Sequence, residues 1–508
     1  MIQGMIRKMT ATFFIAAVMV AAPPSDSLSP VRAAASAVNI LERHPNPTHI
    51  RVVWCPDYAS HNASYPTTQE MADVVAYVAN SAMGHGPLVY RSEGAGDLVF
   101  INLLDQAFGD AKTLERLLNT YEKLLPFNSV FQGEVEGVRV VHPAVADSFA
   151  RMKALTGSSV PLIRYDDFVV GAFSSINGGL YYEWRGFKAG ETKRDDWHSF
   201  NFSFPTTAEQ AGSLRAAYQR GSLVTGRDNY RVVKLWPSIR GKDGIGIPSF
   251  ATDDMDDENT ENPDYNIFSR PVSYKTDGHE DIVPLANGLQ LYGIFNAAGI
   301  LVASVPEGIA RDSTIESPGG GTNILHTRGC VVCHSTVSEG VAEDGTVIYP
   351  NGYRSLRDDL TPILESSPLV LDLSQADQEA VRRQLESYVR GDLEEAVGAA
   401  RQSYRVAVAE VTGGRMTVQQ LGTAFAKIYD DRVWGVVTPE QAALESGYAN
   451  STLQAVMPAV ANNESELTRV HPDIKQLLIG ASLPRARFRH VYPEIIDIAW
   501  LNPNGGKE

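Results

Sequence analysis

Cysteine is almost missing from this chain, with three in 508 residues. A disulfide-stapled scaffold uses many cysteines in even number, so that class is excluded. Positive charge is also short. Lys and Arg total 44 against 60 Asp and Glu, a formal net charge of −16. A nucleic-acid binder needs a basic surface to displace counterions from phosphates, so no nucleic-acid partner is expected. Anionic lipid headgroups are disfavoured for the same reason. Long apolar runs are absent as well. "ATFFIAAVMVAA" (Ala11 to Ala22) falls short of the roughly 20 residues that span a bilayer. It follows Arg7 and Lys8 and precedes the small residues of "RAAASA", which is the layout of an export signal with a cleavage site near Ala35. Residues 1–35 are therefore read as a signal peptide. The mature chain is expected in the periplasm or otherwise outside the cytoplasm, with no integral membrane span after cleavage. There is no internal repeat and no HExxH. No Gly-Lys-Ser/Thr follows "SPGGGTN" (Ser317 to Asn323), so a phosphate-cradling loop is excluded. The acidic "ATDDMDDENTENPDYN" (Ala251 to Asn266) lacks the glycine and the closing glutamate of a calcium loop and reads as a solvated loop.

Apolar residues make up 44% of the chain and charged residues 20%, enough for a large core. Residues 36–49 read as irregular. "IRVVW" (Ile50 to Trp54) reads as a strand. "TTQEMADVVAYVANSAMG" reads as a helix capped by Thr67 or Thr68, with Met71, Val74, Val75 and Val78 as its apolar residues and Gly84 as its stop. "DLVFINLL" (Asp97 to Leu104) is a second strand and "AKTLERLLNTYEKLL" a second helix. "LTGSSVPLIRYDDFVVGAF" holds a further short strand or helix. The stretch 236–280 reads as loop-rich, with "DGHE" around His279 turn-like. "GLQLYGIFNAAGILVAS" (Gly288 to Ser304) reads as two strands joined at "NAAG". Beyond the glycine break at 317–323 the pattern turns helical. Ser374 with Asp377 forms a cap, Gly413-Gly414 ends a long helix, and "TVQQLGTAFAKIY" and "TPEQAALESG" each open on a threonine cap. The fold expected is an α+β or α/β domain over 36–310, followed by a mainly α-helical, cytochrome c-like domain over 311–508.

Two of the three cysteines stand in "RGCVVCHS", residues 328–335. Cysteines three apart share one side of a helical turn, so their thiols can add to the two vinyl groups of one porphyrin. The histidine that follows then offers its imidazole to the iron. Cys330, Cys333 and His334 are thus the candidate attachment residues for one covalent haem c, with His334 as an iron ligand. Three rival readings are weaker. A zinc site wants two further ligands, and no second cysteine pair exists. A thiol–disulfide redox pair usually opens a helix after a strand, and no strand pattern precedes Gly329. A structural disulfide across so few residues would be strained. For the second axial position Met457 in "LQAVMPAV" is the first candidate, because a Met-Pro step in a loop after helices is similar to the distal loop of many small c-type cytochromes. Met416, His471, His490 and an open position are the alternatives. Arg328, Arg354 and Arg357 are candidate partners for haem propionates. Cys55 reads as a buried, inert thiol.

The chain resembles a family of large exported bacterial proteins that carry a single haem-binding CxxCH. "QEMADVVAYVANSA" with "DLVFINLLDQAFG" is similar to that family's N-terminal helix and strand. "LTGSSVPLIRYDDFV" and "VTGRDNYR" match further stretches, and "PLANGLQLYGIFNAAGILVASVPEGIARDST" resembles the segment leading into the haem motif most closely. "RGCVVCHS" stands where the family has its Cys-x-x-Cys-His, and "DLEEAVGAARQSYRVAVAEVTGGRMTVQQLGTAFAKIY" is similar to its helical tail. The chain departs from the family around 180–280. The resemblance implies haem c on Cys330, Cys333 and His334 and an extracytoplasmic location. It implies no substrate.

The function expected is one-electron transfer through covalently bound haem, toward a redox partner protein that is basic where it meets this acidic surface. A haem peroxidase or oxidase with an open distal site, and a haem-based ligand sensor, are the alternatives. Enzymatic activity is left open between them.

Overall fold

The computed structural model describes residues 28, 30–83, 89–91, 96–107, 110–127, 132–135, 138–141, 143–173, 180–201, 214–219, 229–237, 248–254, 262, 264–265, 274–303, 328–336, 340–341, 347–348, 353–355, 374–379, 393–448 and 452–501. Within them the chain mixes helix and sheet.

A four-stranded sheet lies between two cores. Its strands are β1 (Ile50–Trp54), β2 (Val89–Arg91), β3 (Leu98–Asn102) and β6 (Leu162–Arg164), in the order β2-β3-β1-β6. β1 runs antiparallel to β3 and parallel to β6. Side chains alternate along a strand, and here both faces are apolar. Val53, Val99, Ile101 and Ile163 enter the first core, while Val52, Trp54, Phe100 and Leu162 enter the second. A strand buried on both faces reads as a continuous apolar run, which is why "IRVVW" and "LVFIN" were legible. The predicted second strand is shorter than expected, because Leu103–Ala107 turns into a helix.

The helix α1 (Pro30–Leu41) covers the second core with Ala33, Ala34, Ala37, Val38 and Leu41. This corrects one expectation. Residues 36–41 are helical rather than irregular, because five small or apolar residues at helical spacing have a core to enter. The predicted cut near Ala35 would fall inside this helix and strip Ala33 and Ala34, both at most 2% exposed, from the core.

Helix α2 (Thr68–Met83) is central. Thr67 and Glu70 cap it reciprocally: the Glu70 amide donates to Thr67 Oγ1 at 3.2 Å and the Thr67 amide to Glu70 Oε2 at 2.7 Å. That is the predicted start. Residues 71–81 are buried all round, because α2 packs against α6 (Tyr165–Phe173), α7 (Leu180–Arg185), α10 (Leu393–Val411) and α11 (Val418–Val433). Its buried Asp73 is met by Arg415 at 2.6 Å.

The middle of the chain holds more sheet than its sequence suggested. β7 (Leu214–Gln219), β8 (Asn229–Pro237), β9 (Pro248–Asp254), β10 (Gly278–Pro284) and β11 (Gln290–Asn296) form an antiparallel meander. "DGHE" is therefore the start of a strand, not a turn. The backbone of "ATDD" belongs to β9, where Asp253 and Asp254 stand in register with His279 and Gly278. After the cysteine motif the chain returns as Tyr353–Ser355, here β12, to pair with β7 at the opposite edge of the sheet from β11. "NAAG" does close a turn, but beyond it only Ile300 and Leu301 make isolated bridges.

The meander is bolted to neighbours by two glycines. Gly288, at φ +81°, lies where an added Cβ would stand 3.0 Å from Ala407 on α10. At Gly293 an added Cβ would meet the Trp197 ring at 2.8 Å. Gly293→Ala should cost about 1–3 kcal/mol, because overpacking forces the indole and the strand apart. A denaturant melt showing no loss would mean that Trp197 has room to retreat.

The predicted boundary near residue 310 has no counterpart in the packing. The first core joins Tyr65, Tyr77 and Phe168 to Tyr292, Cys330, Tyr404 and Phe425. The later caps are as read: Thr417 and Thr438 each form a full capping box, and Gly413 and Gly414 take positive φ at the end of α10, while Val381, Leu385 and Val389, read as part of the same helix, lie outside the described residues. Ser374 and Asp377 pair as predicted. No described helix is long and apolar enough to cross a membrane.

Candidate functional site

The cysteine motif folds as the helix α9 (Arg328–Thr336). It spans the connection between the two edges of the meander and packs on α11. Its inner side is set by Cys330 and Val331, which are 4% and 1% exposed and belong to the first core. His334 lies one helical turn past Cys330, so the thiol and the imidazole share a face. The side chain of Cys333 lies outside the described residues.

Phenols line this face. Tyr77, Tyr181 and Tyr292 all stand close enough to Cys330 to feel its charge. Burial raises all three hydroxyls well above their ordinary range, and an ionised Cys330 would raise them further. Their polar ends are occupied within the protein: Tyr77 and Tyr404 share a hydrogen bond at 3.0 Å, and Tyr292 donates to Gln290 at 2.8 Å. Cys330 is thus buried in a tyrosine-rich part of the first core. A neutral thioether suits such surroundings.

His334 is nearly buried and lies against the Tyr292 ring, with centroids 5.1 Å apart and planes tilted by 40°. Its Nε2 faces Glu280 Oε1 at 3.9 Å, too long for a hydrogen bond. Glu280 and Tyr292 reach His334 from one face of the sheet, because Glu280 pairs with Ile294 across β10 and β11, and Tyr292 stands two residues before Ile294. The next residue, Asp281, points the other way. It is fully buried and held by Arg194 at 2.7 Å and His198 at 2.8 Å. Burial alone would push its carboxyl up, but the charge of Arg194 and the His198 contact outweigh it and hold it below its ordinary value.

The predicted second ligands are not all brought to this place. Met457 is 1% exposed in the second core, with Trp54 and Leu162, so the four-stranded sheet stands between it and Cys330. His471 and His490 stack edge to face at 5.6 Å. His471 caps the start of the helix Pro472–Leu478 and His490 lies on the helix Arg485–Leu501, and both helices enter that same second core. The structure therefore does not unite these three with the motif. The local pattern around Met457 was sound, since it does cap a short helix, but register along the chain carries no information about which side of a sheet a loop reaches. Met416 lies on the near side, buried in the first core beside the start of α11. Met457→Ala should cost about 2–5 kcal/mol of stability through the cavity it leaves while leaving the spectrum of any bound chromophore unchanged. A spectral change would return Met457 to the site.

Arg328 opens α9 and Arg354 lies on β12, while Arg357 falls outside the described residues. Cys55 is fully buried in the first core, as expected. Glu280 and the tyrosines were missed. "HEDIVP" runs three polar residues into three apolar ones, with no strand alternation, and the Asp-Gly before it reads as a turn.

Among the described residues no group of three or more His, Cys, Asp or Glu is arranged to hold a metal ion. A porphyrin brings four nitrogens of its own, so its iron asks for only one or two protein donors. Of the motif's residues, His334 is the one that could serve as such a donor, and the thiol of Cys330 on the same helical face would carry a thioether. Comparison with protein-family models, curated proteins and solved structures finds no match, so the likeness to exported CxxCH proteins rests on the residues quoted for it.

Proposed function

We propose that this protein transfers single electrons through one haem c, joined to Cys330 and Cys333 and ligated by His334. The observation that carries this reading is the helical turn on which Cys330 is buried in the first core and His334 is held against Tyr292. When bound, haem supplies a one-electron Fe(III)/Fe(II) couple. The protein's own part is to fix and shield. α9 sets the spacing of thiols and imidazole, Tyr292 limits how the His334 ring can turn, and the first core keeps water from Cys330. The export-like N-terminus supports a location outside the cytoplasm, where such attachment takes place. The net charge of −16 favours a basic redox partner and an association rate that falls as salt rises.

The test is the optical spectrum of the purified exported protein, oxidised and reduced, with and without CO, beside a denaturing gel stained for haem. A stained band and a reversible one-electron couple without CO binding support the reading. Rapid CO binding by a high-spin iron moves the function toward a haem oxidase, a peroxidase or a sensor. No stained band ends the haem reading and returns the cysteine pair to thiol chemistry.

A further inference from the structure

Two acidic residues stand side by side at the start of α6, and both are buried, Asp166 at 5% and Asp167 at 0% exposed. They share one guanidinium. Arg432 on α11 reaches Asp166 Oδ2 at 3.1 Å and, from the same Nε, Asp167 Oδ1 at 3.1 Å. In other respects the two carboxylates are unlike. Asp166 has a second arginine, Arg164, which donates to both of its oxygens, and its Oδ1 also accepts from the Asp167 amide at 3.0 Å. Asp167 is bonded through Oδ1 alone. Its Oδ2 is buried and has no hydrogen-bond donor. A bare anionic oxygen in a dry interior is costly, and a second negative charge beside it adds to the cost. One proton on Oδ2 relieves both, while Oδ1 still accepts from Arg432 as a carbonyl oxygen.

The charges that face Asp167 are Arg432 from α11, Asp166 from its own helix, Arg164 from β6 and Arg489 from the helix Arg485–Leu501. Charges on the other elements packed against α6 are engaged elsewhere. On α2, Asp73 is met by Arg415 and Glu70 by Thr67. On β1, Arg51 reaches Glu122 of the short helix Glu122–Phe127, and Lys123 of that helix pairs with Glu183 of α7. Arg185 of α7 acts on Tyr181, and Asp431 of α11 faces Arg485. Burial outweighs the arginines at Asp167 and pushes its carboxyl up to about 6, whereas at Asp166 the arginines win.

We propose that Asp167 is a proton-binding site inside the fold, and that taking up this proton tightens the joint between α6 and α11 when the surroundings turn mildly acidic. Asp167 holds its proton more tightly folded than unfolded. Its stabilisation is therefore fully present below the unfolded carboxylate range, about pH 4, and is lost as pH rises through about 6. Asp166 and Glu445 act with the opposite sign, losing their contribution only as pH falls below that range. α11 also carries α9, so the joint lies beneath the cysteine motif.

The experiment is equilibrium unfolding of the wild type, Asp167→Asn and Asp166→Asn between pH 5 and pH 8. The wild-type unfolding constant should rise with pH, by up to about 100-fold for a carboxyl moved from about 4 to about 6. Asp167→Asn keeps a carbonyl for Arg432 and carries no charge, so it should abolish this rise and be at least as stable as the wild type at pH 8. Asp166→Asn should be less stable at every pH. An Asp167→Asn protein that is less stable than the wild type at pH 8, or that does not fold, overturns the proposal, because it makes the charge on Asp167 a needed partner of Arg432. A rise that persists in Asp167→Asn also overturns it, by placing the proton on another group. Infrared absorption of the folded wild type gives a second readout: a protonated carboxyl band present at pH 5, fading through about pH 6 and missing from Asp167→Asn is expected. A wild type without that band at pH 5 overturns the proposal whatever the variants do.

Discussion

Replacing Cys330 and Cys333 together by alanine should remove every trace of haem from a denaturing gel. The two thioethers are the only covalent link proposed, and His334 alone holds iron by a bond that denaturant breaks. The single variant Cys330→Ala should keep a stained band through Cys333, with the reduced absorption maximum shifted to longer wavelength because one vinyl group stays unsaturated. Circular dichroism on the double variant separates loss of attachment from loss of fold. If the double variant still stains, the haem is tied elsewhere and the motif has another purpose.

The second large effect lies far from the motif. Glu445 is buried between Arg164, at 3.0 Å, and Arg485, and also accepts from Tyr65 at 2.7 Å. Arg164 in turn grips Asp166 with two bonds at 2.5 and 2.6 Å. Arg432 reaches Asp166 at 3.1 Å and pairs closely with Asp167. Glu445→Ala would leave two guanidinium groups without their shared carboxylate in a dry interior, at an expected cost of about 3–5 kcal/mol. Equilibrium unfolding of the purified variant measures this directly, and a loss under about 1 kcal/mol would show that water reaches the gap. Acid should reproduce the effect gradually. Burial would raise the carboxyls of Asp166 and Glu445, but the arginines outweigh it, holding Asp166 down to about 2 and Glu445 below its ordinary range. Both bind protons more weakly folded than unfolded. Their stabilisation is therefore complete above the unfolded carboxylate range, about pH 4, and drains away as pH falls toward 2. A melting temperature that stays flat from pH 5 to pH 2 would contradict this.

The cysteine motif was singled out because a few spacings along one helical turn define it. Capped helices were legible for the same reason: Thr67 with Glu70, and Thr417 with Gln420, act within three residues. The meander was not. β7 to β9 carry charged and polar residues, so neither a clean alternation nor an apolar run marks them, and long-range pairing leaves no local trace. Glu445 likewise looks like any surface glutamate at the end of a helix. Only the fold brings Arg164 to it, from 281 residues away. The partition at residue 310 rests on a change from mixed to helical pattern, which says nothing about whether two stretches share a core, as Tyr77 and Tyr404 here do. Met457 was placed by its local Met-Pro context, and the intervening sheet is invisible at that range.

The burial of Cys330 also sets an order of events. At 4% exposed, its sulfur is out of reach of any bulky enzyme once the first core has closed. Any chemistry that modifies it would have to act on a chain still open, before α9 settles onto α11. Maturation then becomes a race between a modifying machinery and the chain's own collapse. The slow, non-local strand pairing that brackets α9, with β11 finished before it and β12 only after it, lengthens the interval in which the sulfur can be caught.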